Sequence, residues 1–356
     1  MAHKIDLVMD FQYGSTGKGL IAGYLAKRGD YDTAICAFAT NAGHTYIDGP
    51  IHLMTQQLPT SIMSSTVRNI LLGPGSAIHI PTFLEEVARY SHHLAGKRIL
   101  IHPQAAIVED YHASYEKTDG RTKMGSTAKG VGEAYIERIR RDPILANTAG
   151  MRGREHHEFG QYVCSEHEYR ACIEHAENVI IEGAQGFSLS MYHGQYPYTT
   201  SRDVTPWQIA ADCGLPFKWA PYIGVIGTLR TYPIRVNNRD GSSGPHYPDQ
   251  KEIAWEDIGL KPELTTVTKL PRRIFTFSEQ QLAEAVFHCG AYWTSARLFL
   301  NFANYMTDPA LWALIEMIER PKELAWNRPK IEWIGFGPED KDVLTRHELI
   351  NGATHA

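Results

Sequence analysis

The first forty residues constrain the fold more than any other stretch of the chain. A short apolar run, Ile5 to Met9, breaks into Tyr13-Gly14-Ser15-Thr16-Gly17-Lys18-Gly19, after which Leu20, Ile21, Leu25 and Ala26 recur at helical spacing. This reads as strand, glycine-rich turn, helix. Such a turn can bring backbone N–H groups and a helix dipole up to phosphate oxygens, and Lys18 adds a point charge. The spacing G-x-x-G-K-G is two residues short of a Walker A loop and has no Ser or Thr after the lysine. It is therefore not that motif, and alone it reads equally as a structural turn.

Further strand-like runs follow at Thr33–Ala39, Asn69–Leu72, Arg98–His102, Val179–Glu182, Tyr222–Thr228, Leu298–Phe302 and Ile331–Gly335, with helical patterns between them, as in Thr82–Ala95 and Glu166–Ala176. Strands alternating with helices predict an α/β fold with a mostly parallel central sheet covered by helices. A length of 356 residues admits two domains. Because the chemistry-bearing motifs run from Gly14 to Pro338, a single large domain over residues 1–350 is expected, with 351–356 as a frayed tail. The polar stretch Asn237–Asp249 reads as a surface or lid loop.

Composition removes whole classes of function. Lys plus Arg number 35 against 40 Asp plus Glu, a net charge of −5, which disfavours a protein that grips nucleic acid by bulk charge. No apolar segment approaches the roughly 20 residues needed to span a bilayer, and the N-terminus lacks a secretory pattern, so a cytoplasmic protein is expected. The five cysteines are scattered and form no C-x-x-C, as buried thiols would be. Seventeen histidines suggest metal, yet His167-Glu168 is followed by Ala171 and His347-Glu348 by Asn351 where a second histidine ligand would stand.

Three more clusters carry chemistry. Asn41-Ala42-Gly43-His44-Thr45 follows a strand, where ligands of open α/β sheets bind, and a histidine beside a glycine can approach a phosphate or a leaving oxygen. Gly125-Ser126-Thr127-Ala128-Lys129-Gly130-Val131-Gly132, with Arg138, Arg140 and Arg141 beyond, reads as a monophosphate cradle or as a turn before a solvated basic helix. Glu182-Gly183-Ala184-Gln185-Gly186 and Tyr196-Pro197-Tyr198-Thr199-Thr200-Ser201 offer amides and hydroxyls for a base edge and a phosphate.

Taken together and in this order, the motifs resemble adenylosuccinate synthetase, from about Leu7 to Pro338. In that family a nucleoside triphosphate phosphorylates O6 of a 6-oxopurine nucleotide, and the aspartate amino group then displaces phosphate. The resemblance implies catalytic roles for His44, Lys18, Gln185 and the position of Ser15. It implies a triphosphate site at Gly14, Ser15, Thr16, Gly17, Lys18, Gly19, Gly43, His44 and Thr45, with Asn301, Asn304, Gly337 and Pro338 near the base. The purine nucleotide would meet Ser15, Asn41, Ser126, Thr127, Arg141, Gln185 and Thr200. Aspartate would meet Val267, Thr268, Leu270, Arg272 and Arg273. Mg²⁺ would sit at Ser15 and the carbonyl of Gly43, and Arg141 would reach the partner subunit's site in a homodimer.

Three departures narrow the expectation. The family's loop reads G-D-E-G-K-G, its Asp serving as base and metal ligand; here Ser15 and Thr16 replace the two acids, and no activating partner is readable nearby in sequence. The family reads guanine of GTP with T-K-x-D; here stands Asn301-Phe302-Ala303-Asn304, which makes ATP or dATP the better phosphoryl donor. The aspartate loop T-T-G-R-x-R-R becomes Val267-Thr268-Lys269-Leu270-Pro271-Arg272-Arg273, and an apolar Leu270 where an Arg would meet the ribose 2′-hydroxyl suits a deoxyribose. The pattern resembles the family's phage branch, which acts on dGMP to make a precursor of 2,6-diaminopurine DNA. In that case Ser15 leaves room for the 2-amino group. The alternatives are ordinary IMP and GTP chemistry, or a catalytically inactive nucleotide-binding regulator.

Overall fold

The structure, a computed structural model, describes residues 4–118, 126–141, 147–237, 242–264, 270–290, 297–320 and 330–353. Its centre is a nine-stranded sheet: β1 (Lys4–Asp10), β2 (Thr33–Cys36), β3 (Asn69–Leu72), β4 (Arg98–Ile101), β5 (Asn178–Gly186), β6 (Ile223–Arg230), β7 (Arg297–Asn301), β8 (Lys330–Gly335) and β9 (Val343–Thr345). The strand order is β9-β8-β7-β6-β1-β5-β2-β3-β4. Every pairing is parallel except β8 with β9.

β1 reads as a continuous apolar run because both of its faces are covered. Successive residues point to opposite sides, so Leu7 and Met9 enter one core cluster, beside Ile181, Leu298 and Leu314, while Val8 enters the other, beside Ile21, Ile180 and Ile226. The helix α1 (Lys18–Arg28) covers the Val8 face. Helices Glu279–Cys289 and Asp308–Glu319 cover the opposite face through Leu282, Leu311, Leu314 and Ile315.

The structure revises several boundaries. β5 runs four residues past its expected end at Glu182, to Gly186, because its register against β1 shifts between Val8 and Asp10 and brings Asp10 opposite Gly186. The Thr82–Ala95 pattern divides into helices Ile80–Arg89 and Ser91–Leu94 at Tyr90. Thr45 belongs to a hairpin, His44–Asp48 with Ile51–Thr55, which the strand-like runs of the sequence do not include. The last helix, Arg346–Ala353, continues through Asn351; Glu348 and Thr345 cap each other at its start, the Thr345 amide donating to Glu348 at 2.7 Å and the Glu348 amide to Thr345 Oγ1 at 3.2 Å. All five cysteines are free and buried. Among the described residues no helix is long and apolar enough to cross a membrane.

Candidate active site

The C-terminal ends of β1, β2, β5, β6 and β7 collect the sequence motifs at one edge of the sheet, where open α/β sheets bind ligands. The loop leaving β1 turns through left-handed conformations at Gly14 (φ 93°), Ser15 (φ 59°) and Gly17 (φ 92°), and α1 begins at Lys18. Gly17 is required twice over: its φ is strained for any side chain, and a Cβ there would run into Asn301 Nδ2. Ser15 is exposed, and its carbonyl accepts from Arg230 Nη1 at 3.1 Å. Lys18 is buried, with Nζ 3.4 Å from Asp10 Oδ2, and Thr16 donates its hydroxyl to the same carboxylate.

The hairpin strand beginning at His44 lies against the first turn of α1: a Cβ on Gly19 would meet the Thr45 carbonyl oxygen at 2.8 Å. The His44 ring stacks on Phe38 with centroids 3.9 Å apart, and its Nδ1 is 2.7 Å from Glu182 Oε1. The second oxygen of Glu182 accepts from the Thr60 amide at 2.8 Å and lies 3.0 Å from the Thr60 hydroxyl. An ionised carboxylate only accepts, so Nδ1 carries the proton and the imidazole is held in one orientation. The other nitrogen, Nε2, is buried without a protein partner among the described residues.

Gln185 has φ 65° and donates from Nε2 to Asn41 Oδ1 at 3.2 Å, so these two expected purine contacts stand together. The Asn41 segment in turn touches the next loop, since the Thr40 hydroxyl donates to the Lys129 carbonyl at 3.5 Å. In that loop Ser126 is exposed, Thr127 is half-buried and Gly125 lies outside the described residues. Three amides at the start of the following helix, Val131–Arg140, are already taken: Glu116 accepts from Gly130 and Gly132 at 2.8 Å each and from Glu133 at 3.3 Å. A phosphate here would meet the side chains of the loop rather than that helix end. Arg141 is exposed and left-handed (φ 58°), closing the same helix. Thr200 is half-buried, its amide donating to the Leu189 carbonyl at 2.7 Å.

The expected aspartate residues divide. Val267 and Thr268 lie outside the described residues, and Leu270 is half-buried at their edge. Arg273 is committed within the protein: it forks onto Glu252 at 2.8 and 2.7 Å and donates to the Gly244 carbonyl at 2.6 Å. These bonds brace the loop around Gly244 against Glu252. Arg272 is half-buried; burial pushes its guanidinium below its ordinary value, partly offset by Glu263. Its amide donates to the Glu263 carbonyl at 2.8 Å, and the Glu263 carboxylate grips Arg230, the arginine that holds Ser15. Asn301 is likewise turned inward, donating to the Thr16 carbonyl at 3.3 Å and accepting from the Phe302 amide at 2.8 Å, which leaves exposed Asn304 and Pro338 as the open positions near it. Gly337 is hemmed in by Asp342, whose Oδ2 would collide with a Cβ there.

Sequence reasoning missed four groups that organise this site: Asp10, Glu182 as a partner of His44, Arg230 and Glu263. Asp10 sits five positions before Ser15, so an acid was in fact close in sequence, but its bonds go to Thr16 and Lys18. An acid ending an apolar strand run was the one local signal available. Nothing local marked the other three, whose partners are 138, 215 and 33 residues away.

A doubly wound parallel sheet with a glycine loop, a buried lysine and an oriented histidine at its C-terminal edge defines a nucleotide-binding, phosphate-handling class of protein. A family model for adenylosuccinate synthetase matches residues 7–161 and 152–291, and the chain belongs to that family. It is 41% identical to the N6-succino-2-amino-2'-deoxyadenylate synthase of Vibrio phage phiVC8, covering 97% of this chain and 99% of the other. The adenylosuccinate synthetase of Pyrococcus horikoshii is 30% identical over 76% of each chain. Among solved structures, the succinoaminodeoxyadenylate synthetase of cyanophage S-2L, bound to dGMP and dATP as an energy donor, superposes with a TM-score of 0.90 at 39% identity, covering 100% of this chain and 99% of that one.

Proposed function

We propose that the protein joins L-aspartate to C6 of dGMP, driven by ATP or dATP, giving N6-succino-2-amino-2'-deoxyadenylate, ADP or dADP, and phosphate. The observation that carries this reading is the near end-to-end likeness to phage synthases of that product, combined with a loop that presents Ser15 where the wider family has an acid. In the first step O6 of the purine takes the γ-phosphoryl group, the nucleoside diphosphate leaves and N1 loses its proton; in the second the aspartate amine attacks C6 and loses a proton, the C6–O6 bond breaks and O6 departs with the phosphate.

Within that scheme, Lys18 and the loop amides hold the triphosphate, and His44 Nε2 serves the oxygen that changes hands, with Glu182 fixing its tautomer. Gln185 and Asn41 take the purine edge, Ser126, Thr127 and Thr200 the 5′-phosphate, and Arg272 the aspartate carboxylate, with its planar fork. The exposed Ser15 hydroxyl and Gly43 carbonyl are hard oxygen donors, and that donor set fits Mg²⁺, which keeps several waters and binds through few protein oxygens plus substrate phosphates. When bound, the ion neutralises charge on the transferring phosphoryl group. Arg141, exposed at a helix end, would serve a second copy of the chain in a homodimer.

One assay separates this reading from ordinary adenylosuccinate synthesis and from an inactive regulator. The protein is given aspartate with each pairing of dGMP or IMP and ATP or GTP, while phosphate release and succinyl-purine absorbance are followed. Turnover is expected with dGMP and ATP; turnover with IMP and GTP alone sinks the proposal, and silence under every pairing leaves the regulator. A second test addresses Ser15, whose side chain is exposed at the loop's tip. Ser15→Asp is expected to shift the dGMP/IMP ratio of kcat/KM toward IMP by about tenfold or more, because a carboxylate crowds the 2-amino group and restores a base. An unchanged ratio removes Ser15 from purine selection.

A further inference from the structure

Asp10 closes the central strand and is fully buried. Its Oδ1 accepts from the amides of Gln12 at 2.7 Å and Gly14 at 3.2 Å. Its Oδ2 accepts from the Thr16 hydroxyl and lies 3.4 Å from Lys18 Nζ. Thr16 is steadied in turn by the hydroxyl of Thr228 on the neighbouring strand. From the other side the end of β5 presses in: a Cβ on Gly186 would stand 2.7 Å from Asp10 Oδ1.

These four donors are about as many as the lone pairs of one carboxylate can accept, so the group is spent wholly inside the protein. The same charge answers a requirement of Lys18, since burying an ammonium without a counter-ion is costly. The left-handed turn at Gly14 and Ser15 would otherwise hold amides open to any anion, and Asp10 fills that concavity from beneath. We propose that Asp10 is the positioning carboxylate of the phosphate loop: it forms the loop and holds Lys18 in place before any triphosphate arrives. Its enclosure on every side denies it the purine, so it does not stand in for the base the loop lacks. The proposal rests on the assignment of Lys18 to the triphosphate made above.

The test is a double-mutant cycle read in the KM values for ATP and dGMP. Asp10→Asn keeps shape and one acceptor but turns amide hydrogens toward the Lys18 ammonium. It is expected to raise the KM for ATP by about tenfold, the scale of one lost charge-assisted contact, while the KM for dGMP stays within about twofold. If Asp10 acts through Lys18, the Asp10→Asn/Lys18→Gln pair is no worse than Lys18→Gln alone; independent, additive losses overturn the proposal. An unchanged KM for ATP in Lys18→Gln alone instead overturns the Lys18 assignment and removes the basis of the proposal with it. Should Asp10→Asn fail to fold, hydrogen exchange on the unaltered protein decides. The Gln12 and Gly14 amides are expected to be protected without nucleotide, and exchange as fast as an open loop overturns the proposal.

Discussion

Replacing His44 by alanine is expected to lower kcat by about 10²–10⁴-fold, the range for removing a positioned proton-transfer group, while dGMP affinity changes little. The imidazole is buried, stacked on Phe38 and tied at Nδ1 to Glu182, so Nε2, without a partner among the described residues, is the atom that chemistry would use. Alanine also strips a donor from a buried carboxylate, which costs stability and would blur the kinetics. His44→Asn separates the two effects. Its amide can still donate to Glu182 from near the Nδ1 position, but it has nothing where Nε2 was. Turnover by the asparagine variant should stay as low as that of the alanine variant, with the melting temperature largely recovered. Steady-state kinetics, calorimetric dGMP titration and thermal melts provide the measurements, and undiminished kcat in either variant removes His44 from the mechanism.

The second large effect is expected from a single methyl group. In Gly186→Ala the new Cβ would run into the Gly14 amide nitrogen and stand 2.5 Å from the Gln12 carbonyl oxygen, both backbone atoms that cannot swing aside. Overpacking of this kind costs about 1–3 kcal/mol, and the strain falls on the phosphate loop itself. A lower melting temperature together with a raised KM for ATP is the expected result. Gly352→Ala, with nothing within 4 Å of its Cβ, is the control and should melt like the parent protein. Equal behaviour of the two variants would show that β5 does not press on the loop as described.

His44 stood out beside Gly43 at the end of a strand, and the loop around Lys18 stood out as a glycine turn between an apolar run and a helix. Both signals are local: strand burial and helix entry follow from residues within one or two turns of each other. The parallel sheet was legible for the same reason, since strands covered on both faces must be almost wholly apolar. Less visible were the hairpin after His44 and the antiparallel edge strand Val343–Thr345, which are short and carry mixed polarity.

Composition and spacing thus established the fold class and the motif order, and the family resemblance supplied the candidates for the groups that face the ligands. How those groups are held was decided by the folded chain alone. Glu182 orients His44 across 138 positions, Arg230 holds Ser15 across 215, and Gly186 has no side chain because the loop lies against it. The family resemblance put Arg273 and Asn301 among the substrate contacts, whereas in the fold their side chains hydrogen-bond to the protein. A side chain's chemistry is written in its residue type, whereas its free valences depend on which neighbours packing brings within about 3 Å, and no local pattern records those.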